Sequence, residues 1–176
     1  MEEDIIERLY CYDIKAQEIL YKKYAKKMFI ICYRYTGNER DAAEILNDGF
    51  YKIFRQIKSF RTGGISGLVA WMSKIMVNEG LQFIRKQKNL RFVNENEVLV
   101  EESPIQPDNT INAEDYYKLI RQLDDSHKAV FNLFVIDGYS HREISEMLHI
   151  PENTSRSYLL RARQELKLKI IKYAML

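Results

Sequence analysis

The sequence predicts an all-α protein of two small helical domains: an N-terminal helical bundle and a C-terminal four-helix domain with a helix-turn-helix, joined by a flexible acidic linker. Three observations carry that reading. With 3 Pro and 7 Gly in 176 residues, 46% of them hydrophobic, the chain can build long helices around packed cores. Apolar residues recur at helical spacing along most of its length. Between 92 and 113 that periodicity stops: Pro104 and Pro107 fall there, and Glu95, Glu97, Glu101, Glu102 and Asp108 stand without a Lys or Arg. Such a segment is too polar and too like-charged to bury a core. The predicted division is therefore 1–91, 92–113 and 114–176.

The first long helix has Asp13 as its N-cap, an apolar face of Ala16, Leu20, Tyr24, Met28, Ile31, Cys32 and Tyr35, and Gly37 to end it. Asn38 caps the next, whose apolar face is Ala42, Ile45, Leu46, Phe50, Ile53, Phe54 and Ile57. The run 59–66 holds Gly63 and Gly64 and reads as a loop. A third helix is expected from about 67 to about 89 with Leu68, Met72, Ile75 and Phe83 on one side. After the linker, Tyr116, Ile120 and Leu123 restore the period, Ser126 is placed to cap a helix carrying Val130, Phe131 and Phe134, and Gly138 stops it.

The segment 139–148 breaks at His149-Ile150-Pro151 and resumes as a second helix over 154–163. Ile144, Leu148 and Ile150 can share a small core. His149 stands at a turn position of positive φ, which His, Asn and Asp tolerate better than most. In the second helix Arg156, Ser157, Leu160 and Arg161 share a face. From there on Arg156, Arg161, Arg163, Lys167, Lys169 and Lys172 face only Glu165 in charge. A helix, a tight turn and a second, basic helix suit insertion into a DNA major groove.

Net charge is only +2, from 27 basic and 25 acidic residues, so affinity for nucleic acid must come from local patches. The acidic start, Glu2, Glu3 and Asp4, lacks the basic-then-apolar order of a signal peptide, and the apolar run 28–32 is too short to span a bilayer. Cys11 and Cys32 form no CxxC pair and are expected as reduced, partly buried thiols of a cytosolic protein. On a continuous helix His141 and His149 would stand about 12 Å apart, too far for one metal to bridge. Nothing in the residues asks for a cofactor.

Two faces of the N-terminal half invite partners. Asp41, Glu44 and Asp48 lie three and four apart on the second helix, followed by Tyr51, Lys52 and Arg55. A row along one helix fits simple solvation or contact with a basic partner; a metal site needs convergent ligands. The loop and third helix are basic instead, with Lys58, Arg61, Lys74, Arg85, Lys86, Lys88 and Arg91 among Phe60, Trp71 and Phe83. Cations among aromatic planes suit single-stranded nucleic acid, although a Trp is more often core than a stacking platform. Asn78 shares the flank of Lys74 and Trp71 and can hydrogen-bond a base edge.

Together these segments resemble the extracytoplasmic-function sigma factors, the small two-domain specificity subunits of bacterial RNA polymerase. Residues 41–50, DAAEILNDGF, look like the family's region 2.2, usually DAEDxVQEVF. Residues 71–78, WMSKIMVN, look like its WLYRIAxN stretch, and 138–166 is similar to region 4.2, with Thr154, Arg156, Ser157, Arg161, Ala162 and Arg163 matching its core. The chain departs from the pattern at Ala43-Glu44 and Asn47-Asp48, which shift one carboxylate, and at His149, Asn153 and Ser155, where Gly, Gly and Val are common.

The resemblance implies a mechanism. Asp41, Glu44, Asn47, Asp48 and Tyr51 would dock on core RNA polymerase at the clamp helices of its largest subunit, with the flap region as a second contact. Thr154, Arg156, Ser157, Leu160 and Arg161 would read the minus-thirty-five promoter element as duplex. Phe60, Arg61, Lys74 and Asn78 would capture a melted minus-ten base in and beside the loop 60–66. An anti-sigma factor would be a further partner, and the polymerase would perform the chemistry. The nearest rival is a stand-alone helix-turn-helix regulator, which would need a sensory or phosphoacceptor domain that the N-terminal half does not offer. A carboxylate-dependent nuclease is the distant one; metal-dependent cleavage of nucleic acid without polymerase would reveal it.

Overall fold

The computed structural model describes residues 2–61, 63–88 and 113–175, and the expected linker 92–113 lies outside them except for its last residue. The chain divides into two compact units, Met1–Gln87 and Lys88–Leu176. All regular elements among the described residues are helical.

The N-terminal unit contains α1 (Glu2–Tyr10), α2 (Ile14–Thr36), α3 (Glu39–Arg55), a 3-10 turn (Ile57–Ser59) and α4 (Gly64–Lys88). The expected punctuation is present. Asp13 accepts from the amides of Lys15 and Ala16, Gly37 ends α2 at φ +79°, and Asn38 accepts from the Asp41 amide. The sequence places no helix before Asp13; α1 forms there because Ile6 and Leu9, one turn apart, are buried. Arg8 Nε donates to Asp13 Oδ2 at 2.8 Å, which ties α1 to the cap of α2 and holds the Asp13 carboxyl below its ordinary range.

The third expected helix begins at Gly64, three residues before 67, so only the first part of the loop 60–66 is irregular. Its buried face also differs from the expected one. Leu68, Met72, Met76, Gly80 and Ile84 form an unbroken buried row, each four residues after the last, while Ile75 and Phe83 are half-buried. Two glycines allow this helix to come close. A Cβ on Gly80 would lie 2.8 Å from Tyr35 Cβ and 2.9 Å from its Cγ, and a Cβ on Gly49 of α3 would strike Met76. Cys32 packs there too, its Sγ 3.8 Å from Met76 Sδ, and burial pushes its thiol up to about 12. The two cysteines, expected to be alike, diverge: Cys32 is buried and Cys11 is exposed.

Among its described residues the C-terminal unit has four α-helices, as expected: α5 (Ala113–Arg121), α6 (Asp125–Phe131), α7 (His141–Leu148) and α8 (Glu152–Ala174). A π-helical turn, Asn132–Ile136, extends α6 before Gly138 ends the run at φ +77°. The cap of α6 is Asp124, whose carboxylate accepts from the Ser126 amide; Ser126, the expected cap, is buried inside the first turn. Leu119, Ile120, Leu123, Val130, Leu133, Ile144, Leu148, Leu159, Ala162 and Leu166 make the core.

Candidate polymerase and nucleic-acid surfaces

α3 buries Ala42, Ile45, Leu46, Gly49, Phe50 and Ile53, which turns the expected acidic row outward. Its members are not equivalent. Asp41 sits in the first turn, where its Oδ2 accepts from Asn38 Nδ2 at 2.6 Å while Asn38 Oδ1 accepts its amide. Asp41 therefore has a capping role within the helix. Glu44, Asn47 and Asp48 are exposed, and neither carboxylate has an ion pair among the described residues. Lys52, one turn beyond Asp48, is held elsewhere: its Nζ lies 2.7 Å from both Glu79 oxygens on α4. The row ends at Tyr51, 62% exposed, with the Arg55 guanidinium 5.6 Å from its ring centre. The result is an open carboxylate pair flanked by an exposed aromatic ring, a surface fitted to a basic partner.

The four residues expected at the melted strand do not share one environment. Lys74 is exposed and Asn78 half-buried one turn later on α4, and Arg61 is exposed beside the loop. Phe60 is 7% exposed, its ring 5.9 Å from that of Trp71, and its carbonyl accepts from Tyr10 Oη at 2.8 Å. A base cannot stack on a ring so enclosed. Phe60 instead pins the start of the loop to α1 and α4, leaving Arg61 outside. Trp71 is half-buried against it, in keeping with the core reading.

The helix-turn-helix is built by short-range contacts. Ser140 and Glu143 form a capping box at the start of α7. His149 ends it at φ +56°, ψ +46°, the expected left-handed turn, and the Ser145 hydroxyl donates to the Ile150 carbonyl. Ile144, Leu148 and Ile150 are buried together with α8 residues Tyr158, Leu159 and Ala162. His141 Nδ1 and the fully buried Ser155 hydroxyl share a 2.8 Å hydrogen bond, and the His141 ring stacks on Phe134 at 4.4 Å. Ser155, a departure from the motif, thus has a partner on the facing helix.

α8 starts at Glu152, two residues earlier than expected, and its inward residues leave Arg156 exposed and Ser157, Leu160 and Arg161 half-buried on the opposite side; Thr154 is half-buried. Arg156 lies 3.6 Å from Glu152, an exposed pair one turn long that water and salt weaken. The Ser157 hydroxyl donates to the Asn153 carbonyl at 3.0 Å, so it is left as an acceptor. Among the described residues no metal-binding cluster occurs, and no helix is long and apolar enough to cross a membrane.

A helical unit that presents α8 in this way defines a helix-turn-helix protein. Comparison with known proteins narrows the class. The sigma-70 region 2 family matches residues 20–90 and the sigma-70 region 4 family matches 113–166, in that order. The chain is 27% identical to the ECF RNA polymerase sigma-E factor of Haemophilus influenzae, over 96% of this chain and 95% of that one. It is also 27% identical to the ECF sigma factor SigE of Mycolicibacterium smegmatis, over 88% of this chain but 62% of that longer protein. Identity to the Escherichia coli sigma-E factor is 25%, over 94% and 92%. Among solved structures, the fold resembles Bartonella quintana RpoE, determined with the anti-sigma factor NepR (TM-score 0.55, 20% identity, covering 90% and 98%). It likewise resembles CnrH, determined with the cytosolic domain of CnrY (TM-score 0.54, 15% identity, covering 97% of each). The chain belongs to the sigma-70 family, in its extracytoplasmic-function group, and is a transcription initiation factor.

Proposed function

We propose that this initiation factor docks on core RNA polymerase through the outer face of α3 and directs it to promoters with two separate readers. Glu44, Asp48, Asn47 and Tyr51 meet the clamp helices of the largest subunit, and Asp41 supports them from the cap. In the C-terminal unit Arg156, Ser157, Leu160 and Arg161 contact base edges of the minus-thirty-five duplex, with Thr154 beside them. Arg61, Lys74 and Asn78 hold the melted minus-ten strand; Phe60 contributes by anchoring the loop. Residues 92–113 tether the readers, and the C-terminal unit adds a contact with the polymerase flap. The protein works in the cytoplasm and catalyses nothing itself. By analogy with RpoE, an anti-sigma factor is a further partner.

The observation that carries this reading is the open pair Glu44 and Asp48, left without a cation because Lys52 is engaged by Glu79. Two like charges about one turn apart on an exposed helix cost a little stability, which a basic partner would recover. In the test, the purified chain is mixed with core RNA polymerase and followed by gel filtration and by run-off transcription. The expected result is co-elution and initiation at defined promoters. Glu44→Lys with Asp48→Lys should abolish co-elution while the helical circular-dichroism signal stays. Unchanged co-elution of the double variant would remove α3 as the docking face.

A further inference from the structure

The turn between α1 and α2 carries a residue that the fold alone does not explain. The Tyr12 amide donates to the Leu9 carbonyl at 2.9 Å and the Asp13 amide to the Arg8 carbonyl at 3.1 Å, a paired arrangement that closes a helix with its penultimate residue left-handed. That residue is Tyr12, at φ +57°. Glycine fills such positions without strain, whereas a side chain with a Cβ meets a steric penalty there. The Tyr12 ring returns little to the folded chain. It is 46% exposed, its hydroxyl makes no hydrogen bond among the described residues, and the Lys58 ammonium lies 4.9 Å from the ring centre.

Its surroundings say what would use it. Lys58 belongs to the 3-10 turn that leads into the loop, and the neighbouring Tyr10 hydroxyl holds the Phe60 carbonyl at the loop's first residue. An open aromatic ring with an exposed cation beside it, three residues before exposed Arg61, is the combination that takes an unpaired nucleotide: the base stacks and the cations pair with its phosphates. Strained backbone at an exposed aromatic is likewise typical of a binding site. We propose that Tyr12 is a stacking platform for an unpaired base of single-stranded DNA, with Lys58 leaving the ring to pair with an adjoining phosphate. This rests on the reading that the loop faces the melted strand, and it adds a base contact where Phe60, enclosed, cannot supply one.

The test uses the full chain and a short, fluorescein-labelled single-stranded DNA of mixed sequence, because stacking is sequence-tolerant. Fluorescence anisotropy at low salt is measured beside urea unfolding. Tyr12→Gly should unfold at the same or higher urea, because the strain is gone, yet bind about tenfold more weakly. Its salt dependence should match the parent's, since no charge has left. Tyr12→Phe should keep both affinity and stability. Lys58→Ala should flatten the salt dependence by about 0.7 in log–log slope, the loss of one phosphate contact. Parent-like binding by Tyr12→Gly overturns the proposal. So does a Tyr12→Gly protein less stable than the parent, because the ring would then have a structural role. A parent chain that binds no single strand, or Arg61→Ala and Lys74→Ala variants that bind as the parent does, would defeat the loop reading itself. Sensitivity to those two changes with an indifferent Tyr12→Gly defeats the stacking proposal only.

Discussion

In the C-terminal unit the surface assigned to duplex DNA is made by neighbours in sequence. A capping box starts α7, a left-handed His149 ends it, Ser145 closes onto Ile150, and α8 follows within a few residues. In the N-terminal unit the working surfaces are what remains of helices after their inner faces have been chosen by distant partners. α4 presents Lys74 and Asn78 because Gly80 lies against Tyr35, and α3 presents an open Asp48 because Lys52 is drawn to Glu79. A local device of this kind is robust to change elsewhere. A surface left over from packing moves with the packing, so core substitutions in the N-terminal unit should disturb function at a distance.

The largest effect should come from the closest approach. Gly80→Leu forces a side chain against the fully buried Tyr35 and should cost about 3 kcal/mol, the upper part of the overpacking range, with single-strand binding lost alongside. Gly49→Leu should cost less, because flexible Met76 can give way. Equal costs in urea unfolding, or a stable Gly80→Leu protein, would break the comparison.

In the other unit, His141→Ala leaves the buried Ser155 hydroxyl without its partner and should cost about 2 kcal/mol. Replacing both members, His141→Phe with Ser155→Val, should recover most of that, since an apolar pair leaves no polar group stranded. Thermal unfolding of the C-terminal unit checks both. Failure of the double variant to recover would mean that the contact sets the turn geometry as well as its stability. Next in size, Ser140→Ala removes half of the capping box and should cost about 1 kcal/mol. The loss should appear as weaker duplex binding without any change in the N-terminal transition.

The effect that is silent near neutrality is one of pH. The Cys32 thiol is raised from 9.0 to about 12 by burial, so the folded N-terminal unit keeps its proton where the unfolded chain would release it. Its contribution is fully present below pH 9 and is lost as pH rises toward 12. Between those values the N-terminal transition should weaken more steeply than that of a Cys32→Ser chain. At neutral pH an alkylating reagent should label exposed Cys11 at once and Cys32 only after unfolding; rapid labelling of both would place Cys32 near solvent.

Much of the fold was legible because its signals are short-range. Asp13, Gly37, Asn38, Gly138 and His149 each act through a backbone group a few residues away, and each acts where the residue type suggests. The helix-turn-helix was legible for the same reason. Less visible was any choice between adjacent possibilities. Asp124 and Ser126 can both cap, and the helix starts where Asp124 prevails. Gly63 and Gly64 read as loop, yet α4 takes in Gly64, since the Gly67 amide bonds the Gly63 carbonyl at 2.9 Å. α1 is a brief signal, with Ile6 and Leu9 buried beside polar residues on both sides.

The sequence by itself determined the helical class, the long helices α2 and α3 and the order of the two family regions, because periodicity, caps and motif spacing are properties of neighbouring residues. Only the tertiary structure decided which side of α4 is inward, that the Phe60 ring is enclosed, that Asp48 is open while Lys52 is taken, and that Tyr12 stands exposed in a strained turn. Those outcomes depend on side chains that meet across tens of residues, and a local pattern carries no record of which one arrives first.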